Sequence, residues 1–302
     1  MRMSSYDVVG DWGTSRLRLF RMEQGQVTAR REGPGIAEAG ANAAQAFAQT
    51  IAPWLEDGTP GSIRLCGMAG ARDGWVEAPY ADCPATAQQW RTVAVRFEWQ
   101  GTPVTILAGL ACTDKDGIPD VMRGEETQIF GAMHRNPDLA EGRHLIVLPG
   151  THNKWSLVED GRIVSFRTVP TGELFALLRD HSTLGPKAAP TQAAEEAKGF
   201  AEGLDAAGQG RLLTNLFAAR AKRLRDGRSP DWTAGYLSGL LISCEITEVR
   251  AMLGEVGGIT LIGDQRLCAR YAEALEAQRL ASRSLSGDDC VLAGLTLPEN
   301  AA

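Results

Sequence analysis

The chain has no Cys-x-x-Cys and only four histidines, and its six cysteines are scattered at positions 66, 83, 112, 244, 268 and 290. That spacing argues against a zinc site or a disulfide framework and for a reducing, cytoplasmic compartment. No apolar run approaches the roughly 18 residues that a membrane span requires, and the opening MRMSSYDVVGDW has no signal-peptide hydrophobic region. Basic charge is short as well. The 31 Lys and Arg face 37 Asp and Glu, and a net charge of −6 disfavours a nucleic-acid partner. Two nucleotide-binding motifs are missing. No G-x-x-x-x-G-K-[ST] occurs, which excludes a P-loop. The late glycine turn at Gly263 is not a first βα unit and lacks G-x-G-x-x-G, which excludes a Rossmann site.

What is present is an ordinary globular composition, 44% hydrophobic and 23% charged over 302 residues, long enough for about two domains of roughly 150 residues. The stretch from Tyr6 to Thr28 organises the first of them. Val8 and Val9 lead to Asp11, Gly13-Thr14-Ser15 makes a tight turn, and Leu17 and Leu19 resume the alternation before a second turn at Gln24-Gly25. This turn has the groups that a nucleotide-phosphate site needs. Asp11 can hold Mg²⁺ directly or through water, Gly13 admits close approach of an oxygen, and Thr14 and Ser15 add hydroxyl and N–H donors. A plain hairpin turn accounts for the same residues. The balance shifts because the pattern recurs from His144 to Phe166, where Leu145-Ile146-Val147-Leu148 enters Pro149-Gly150-Thr151-His152-Asn153-Lys154 and a second turn follows at Asp160-Gly161. Two glycine-threonine hairpins that face each other would clamp a triphosphate from both sides.

These two hairpins resemble the phosphate loops of the actin-like ATPase superfamily of sugar kinases, hexokinases and Hsp70-type chaperones. Leu148 stands where the first hairpin has Asp11, so metal binding is expected to rest mainly on the first loop.

Between the hairpins, residues 37–55 read as a helix, with Phe47, Ile51 and Trp54 at helical spacing, and residues 62–66 as a strand. That strand ends in the glycine-rich Gly67 to Trp75. Ligands of open α/β sheets bind at such C-terminal ends. Here Arg72 can pair with a carboxylate and Trp75 can stack on a sugar face; a surface salt bridge and a core aromatic are the open alternatives. Gly124-Glu125-Glu126 reads as the start of a helix, where acidic residues are favoured by the helix dipole alone. Asn136 to Gly142 is a polar boundary, so the expected domains are residues 1–138 and 139–302. In the second, Thr171 reads as an N-cap, Leu174, Leu177 and Leu178 as an apolar helix face, and Leu212, Leu213, Leu216 and Phe217 as core. Residues 232–253 form a further helix, Ile259 to Gly263 a buried strand, residues 265–280 a helix, and residues 287–297 a final apolar helix.

GDWGTSRLRLF, GMAGARDGWVEAPYADCPA, PDVMRGEETQIFGA, LPGTHNKW and TGELFALLRDHSTLG occur in this order, and together they resemble the 2-dehydro-3-deoxygalactonokinase family over nearly the whole chain. The resemblance implies an α/β fold of two RNase H-like (actin-like ATPase) domains with an interdomain cleft that holds ATP and Mg²⁺. It implies transfer of a phosphoryl group from ATP to the 6-hydroxyl of a small sugar acid, 2-dehydro-3-deoxy-D-galactonate. On this resemblance Asp11 holds the metal, and Gly13, Thr14, Ser15, Gly150, Thr151 and Lys154 serve the phosphates. Gly263 and Asp264 lie against the adenosine, with helix capping as the alternative for Asp264. Glu125, or failing that Glu126, is the general base. Arg72, Trp75, Arg123, Lys154 and Arg167 are available for the acceptor. The oligomeric state is left open, with a homodimer compatible.

Overall fold

The first apolar run folds as β1 (Asp7–Trp12) and reverses into β2 (Arg16–Glu23) and β3 (Gln26–Pro34), an antiparallel meander. The second turn of this meander takes positive φ at Gln24 and Gly25, and the later copy does so at Asp160 and Gly161. The structure is a computed structural model that describes residues 6–185, 191–208, 210–253 and 258–298.

After a short α1 (Ile36–Ala39), α2 (Ala43–Leu55) lays Phe47, Ile51 and Trp54 on a core with Val8, Trp12, Leu17 and Leu19. β4 (Ile63–Gly67) then runs parallel to β1. Three short elements follow: β5 (Tyr80–Asp82), β6 (Ala85–Thr86) and α3 (Ala87–Thr92), the last closed by a capping box between Thr86 and Gln89. β7 (Val95–Trp99) and β8 (Thr102–Ile106) complete a sheet of order β3-β2-β1-β4-β8-β7. β9 (Gly109–Thr113) and β10 (Pro119–Met122) join β5 in a small second sheet and lead into α4 (Glu125–Arg135).

The order β3-β2-β1-β4-β8 is repeated by later strands. β11 (Arg143–Leu148), β12 (Asn153–Glu159) and β13 (Arg162–Val169) are followed by the helices α5 (Thr171–His181), α6 (Ala193–Ala207), α7 (Leu212–Asp226) and α8 (Pro230–Leu253). β14 (Ile259–Gly263), α9 (Gln265–Ala277) and β15 (Ser282–Ser286) come next. The sheet order is β13-β12-β11-β14-β15, and β11 runs parallel to β14 as β1 does to β4. Contacts divide the chain into unit 1 (Met1–Arg143, Val158–Phe166, Ser286–Ala302) and unit 2 (His144–Leu157, Arg167–Leu285). The single cut expected after residue 138 is thus replaced by a threaded division. The tip of the β12–β13 hairpin pairs with β6, and α10 (Gly287–Leu295) packs on α4, where glycines let the two helix backbones meet: Gly131 against Cys290 and Gly294 against Thr127.

In unit 2, Gly199 and Gly203 of α6 lie on the α8 backbone, and Gly235 and Gly239 of α8 lie on that of α6. This close crossing fills α8 with buried residues on all sides. It also turns part of the expected core outward. Leu213 and Phe217 on α7 and Leu174 and Leu177 on α5 are exposed, whereas Leu212, Leu216 and Leu178 pack on Trp232 and Tyr236. Among the described residues no helix is long and apolar enough to cross a membrane.

Candidate active site

In unit 1 the turn after β1 closes on itself. The Gly13 N–H donates to the Arg16 carbonyl (2.9 Å), and the first N–H groups of α1 reach back, Ile36 to the Gly13 carbonyl (3.1 Å) and Ala37 to that of Thr14 (3.0 Å). Thr14 and Ser15 are left exposed at the tip. The Gly13 N–H is thus engaged by the turn itself.

Asp11 does not face solvent alone. The β1–β2 register sets Arg18 opposite it, and the Arg18 guanidinium joins the Asp11 carboxylate to Asp288 of α10. The Cys66 thiol lies 3.7 Å from Asp11 Oδ1. Among the described residues no group of three or more His, Cys, Asp or Glu could cage a metal. A single carboxylate suits Mg²⁺ that arrives on a nucleotide, since Mg²⁺ keeps most of its waters and takes the rest of its ligands from phosphates. Asp11 fits that role only by sharing its charge with Arg18, a partner the sequence analysis did not name.

The start of α4 is seated by two glycines. Gly67 at the end of β4 has φ +77° and Gly124 has φ +112°, and a Cβ on Gly124 would come 3.2 Å from the Gly67 Cα. This approach separates the two carboxylates that follow. Glu126 is fully buried, and its oxygens accept from the Gly124 N–H (2.9 and 2.7 Å) and the Thr127 hydroxyl (3.2 Å). Burial, helped by the neighbouring Glu125 charge and opposed by these donors, pushes its carboxyl up to about 8. Glu125 is half-buried, and its Oε2 accepts from the Arg123 N–H at 3.1 Å.

The Glu126 shift has a consequence for stability. The folded state holds a proton at Glu126 between the unfolded value of 4.5 and about 8, so this group's stabilisation is full below 4.5 and falls as pH rises through that window. At about 1.4 kcal/mol per pH unit, its loss between pH 6 and pH 8 is on the order of 3 kcal/mol. Glu126→Gln, a neutral isostere, should unfold with a shallower pH dependence, and its stability relative to the parent should rise from pH 6 to pH 9 in denaturant titrations. Parallel curves for the two proteins would show that Glu126 is ionised throughout.

The loop after β4 divides its residues. Arg72 is exposed. Trp75 packs among Phe47 (4.8 Å between ring centroids), Phe97 (5.4 Å), Trp99 (5.9 Å) and Trp12 (6.3 Å), so the core alternative is the one the structure adopts and the sugar-stacking expectation is corrected. The side chain of Arg123 lies over the Tyr80 ring at 4.2 Å and donates through Nη2 to the Ala78 carbonyl at 2.8 Å. Its Nε and Nη1 are buried with no acceptor among the described residues. Such orphaned donors are uncommon and call for a partner.

In unit 2 the second hairpin repeats the economy of the first. The Gly150 N–H donates to Asn153 Oδ1 at 2.7 Å, so this glycine too keeps its donor for the turn, while Thr151 and His152 are exposed. Lys154 is buried and its ammonium donates to the Thr168 hydroxyl at 2.6 Å. Arg167 is half-buried on β13. Thr171 is the first residue of α5 rather than its cap, and its side chain bonds Glu245 instead. Gly263 has φ +155° beside the Pro149 carbonyl, and Asp264 caps α9 through the Leu267 N–H (3.0 Å), its helix-capping alternative.

The profile of the 2-keto-3-deoxy-galactonokinase family matches residues 11–297. The chain belongs to this family. Relatives of the 2-keto-3-deoxy-galactonokinase type align along nearly their whole length. A Rhizobium meliloti (strain 1021) protein named "Probable 2-dehydro-3-deoxygalactonokinase DgoK1" is 38% identical over 98% of this chain and 97% of its own. The Escherichia coli (strain K12) 2-dehydro-3-deoxygalactonokinase is 33% identical over 97% of each. A crystal structure from Sinorhizobium meliloti with the same kinase assignment superposes with a TM-score of 0.85 at 36% identity, over 96% of this chain and 97% of that one. At 8% identity, the ADPNP-bound activator of a 2-hydroxyisocaproyl-CoA dehydratase from Clostridium difficile shares the fold alone, with a TM-score of 0.51 over 96% of this chain and 92% of its own. The fold class expected from the paired hairpins, two actin-like α/β domains, is the one found.

In this 2-keto-3-deoxy-galactonokinase family member, three residues that matter escaped the sequence. Arg18 had a usable signal: in a hairpin closed between Gly13 and Arg16 it falls opposite Asp11. Asn153 lay within the motif, where its Asx-type bond to Gly150 is a local pattern. Glu245 gave no signal in an otherwise apolar helix.

Proposed function

We propose that this chain is an ATP-dependent kinase that phosphorylates the 6-hydroxyl of 2-dehydro-3-deoxy-D-galactonate. The observation that carries this reading is the family match across residues 11–297, supported by the names of full-length relatives.

Phosphoryl transfer asks the protein mainly for positioning and charge stabilisation. In unit 1, Thr14 and Ser15 offer hydroxyl and N–H donors to phosphate oxygens. In unit 2, Thr151 offers its hydroxyl and N–H and His152 its backbone N–H, the His152 ring being paired with Glu173 at 2.7 Å. Mg²⁺, when bound with the nucleotide near Asp11, neutralises phosphate charge. As the bond from the acceptor oxygen to the γ-phosphorus forms and the bond to the ADP oxygen breaks, Glu125 takes the hydroxyl proton. Glu126, buried and holding the Gly124 N–H, keeps that helix start in place. Arg123 is our choice for the acceptor carboxylate, because an incoming oxygen would satisfy donors that find no acceptor among the described residues.

The test is ADP release with MgATP across 2-keto-3-deoxy acids and aldohexoses. The expected result is strong preference for the sugar acid; equal use of glucose or galactose would assign the chain to a neutral hexose instead. Arg123→Met should raise the acceptor KM about 10- to 100-fold, the worth of a charged hydrogen bond, with the ATP KM unchanged. An acceptor KM that moves in Arg72→Lys and not in Arg123→Met would return the role to Arg72.

A further inference from the structure

One heavily bonded carboxylate in unit 2 belongs to none of the motifs. Glu245, on α8, is 3% exposed. Its two oxygens accept from Asn153 Nδ2 (3.0 and 2.9 Å), Trp155 Nε1 (2.5 Å) and the Tyr271 hydroxyl (2.7 Å), and the Thr171 side chain also donates to it. The donors come from β12, α9 and α5, and all are buried. No cation faces the carboxylate within this set. A buried carboxylate without a counter-charge is costly, and a shell of donors is the way to keep it ionised. Burial holds its carboxyl above the ordinary carboxylate range, and the donors offset only part of that rise.

The consequence reaches the hairpin through one side chain. Asn153 presents Nδ2 to Glu245 and, on its other side, Oδ1 to the Gly150 N–H at 2.7 Å. When ionised, Glu245 only accepts and so fixes which way the Asn153 amide points, because the flipped amide would set its oxygen against the carboxylate. The bond to Gly150 then fixes the turn, and Thr151 and His152 stand at its exposed tip. From α5, Thr171 adds a second hold. Its neighbour Gly172 lies against the Gly150 carbonyl and Thr151 Cα, where a side chain has no room, and the Glu173 N–H donates to the Thr151 carbonyl at 3.0 Å.

We infer that Glu245 is a positioning residue for nucleotide phosphate binding, acting through the Asn153 amide on the Gly150–His152 turn. This rests on the reading of that turn as a phosphate loop. Glu245→Gln puts a donor where Asn153, Trp155, Tyr271 and Thr171 all donate. It should raise the ATP KM about tenfold, the worth of one buried hydrogen bond, and leave the acceptor KM within about twofold. The double variant Asn153→Asp/Glu245→Gln reverses the polarity of the pair: the aspartate accepts from both Gly150 and the new amide, and the buried charge is kept. It should return the ATP KM to within a few-fold of the parent, which a merely structural role would not require. An unchanged ATP KM in folded Glu245→Gln, with ATP binding lost in Gly150→Val, overturns the brace alone. Normal ATP binding in Gly150→Val overturns the phosphate-loop reading and the brace with it. If Glu245→Gln does not fold, the double variant decides: a folded double variant whose ATP KM stays raised also overturns the inference.

Discussion

Glu125→Gln should lower kcat by roughly 10²- to 10⁴-fold, the usual worth of a general base, and leave the ATP KM nearly unchanged. The two carboxylates at the start of α4 differ in their surroundings. Glu126 is fully buried, is held by Gly124 and Thr127, and has its carboxyl pushed up to about 8 by burial, so near neutral pH it carries a proton and cannot take another. Glu125 is half-buried at the next position, about 100° around the helix, where Arg123 steadies one of its oxygens at 3.1 Å. Glu126→Gln should accordingly keep kcat within a few-fold. Steady-state kinetics of both variants decide the matter. The opposite pattern swaps the roles, and full activity in both moves the base away from α4.

Gly150→Val should abolish detectable ATP binding without unfolding the protein. The fold does not need this glycine: Gly150 is not at positive φ, and a Cβ built on it meets, beyond its chain neighbours, no atom of the described residues within 4 Å. Gly172, which lies on the Gly150 carbonyl, is by contrast required by packing. A glycine that packing leaves unexplained points to something that must come close, and a phosphate oxygen beside the Thr151 and His152 donors is what the hairpin suits. A branched side chain would occupy that approach. Nucleotide titration by calorimetry, with a melting temperature within a few degrees of the parent, is the expected outcome. A normal ATP isotherm in the folded variant would remove the hairpin from the site.

The two hairpins were legible in the sequence because everything that makes them is local. Alternating apolar residues, a glycine turn and a second turn of Gln24-Gly25 or Asp160-Gly161 specify strand, reversal and strand without help from elsewhere, and both copies appear where they were expected. The start of α4 was legible for the same reason. Missing motifs were equally informative, since no P-loop or Rossmann turn can form without its glycines.

Tertiary structure decided whatever depends on which side of an element meets a neighbour. Sequence places Glu125 and Glu126 side by side; the contact of Gly124 with Gly67 and the packing of α10 on α4 bury one and leave the other half open. It makes Trp75 as fit for a sugar as for a core, and four surrounding rings settle it. It gives Leu213 and Phe217 the same helical spacing as Leu212 and Leu216, and only the position of α8 exposes the first pair. Glu245 is the extreme case. Its partner Asn153 is 92 residues away in the chain, and a lone carboxylate in an apolar helix has no meaning until the fold brings donors to it, because hydrogen bonds between distant side chains leave no periodicity in the sequence.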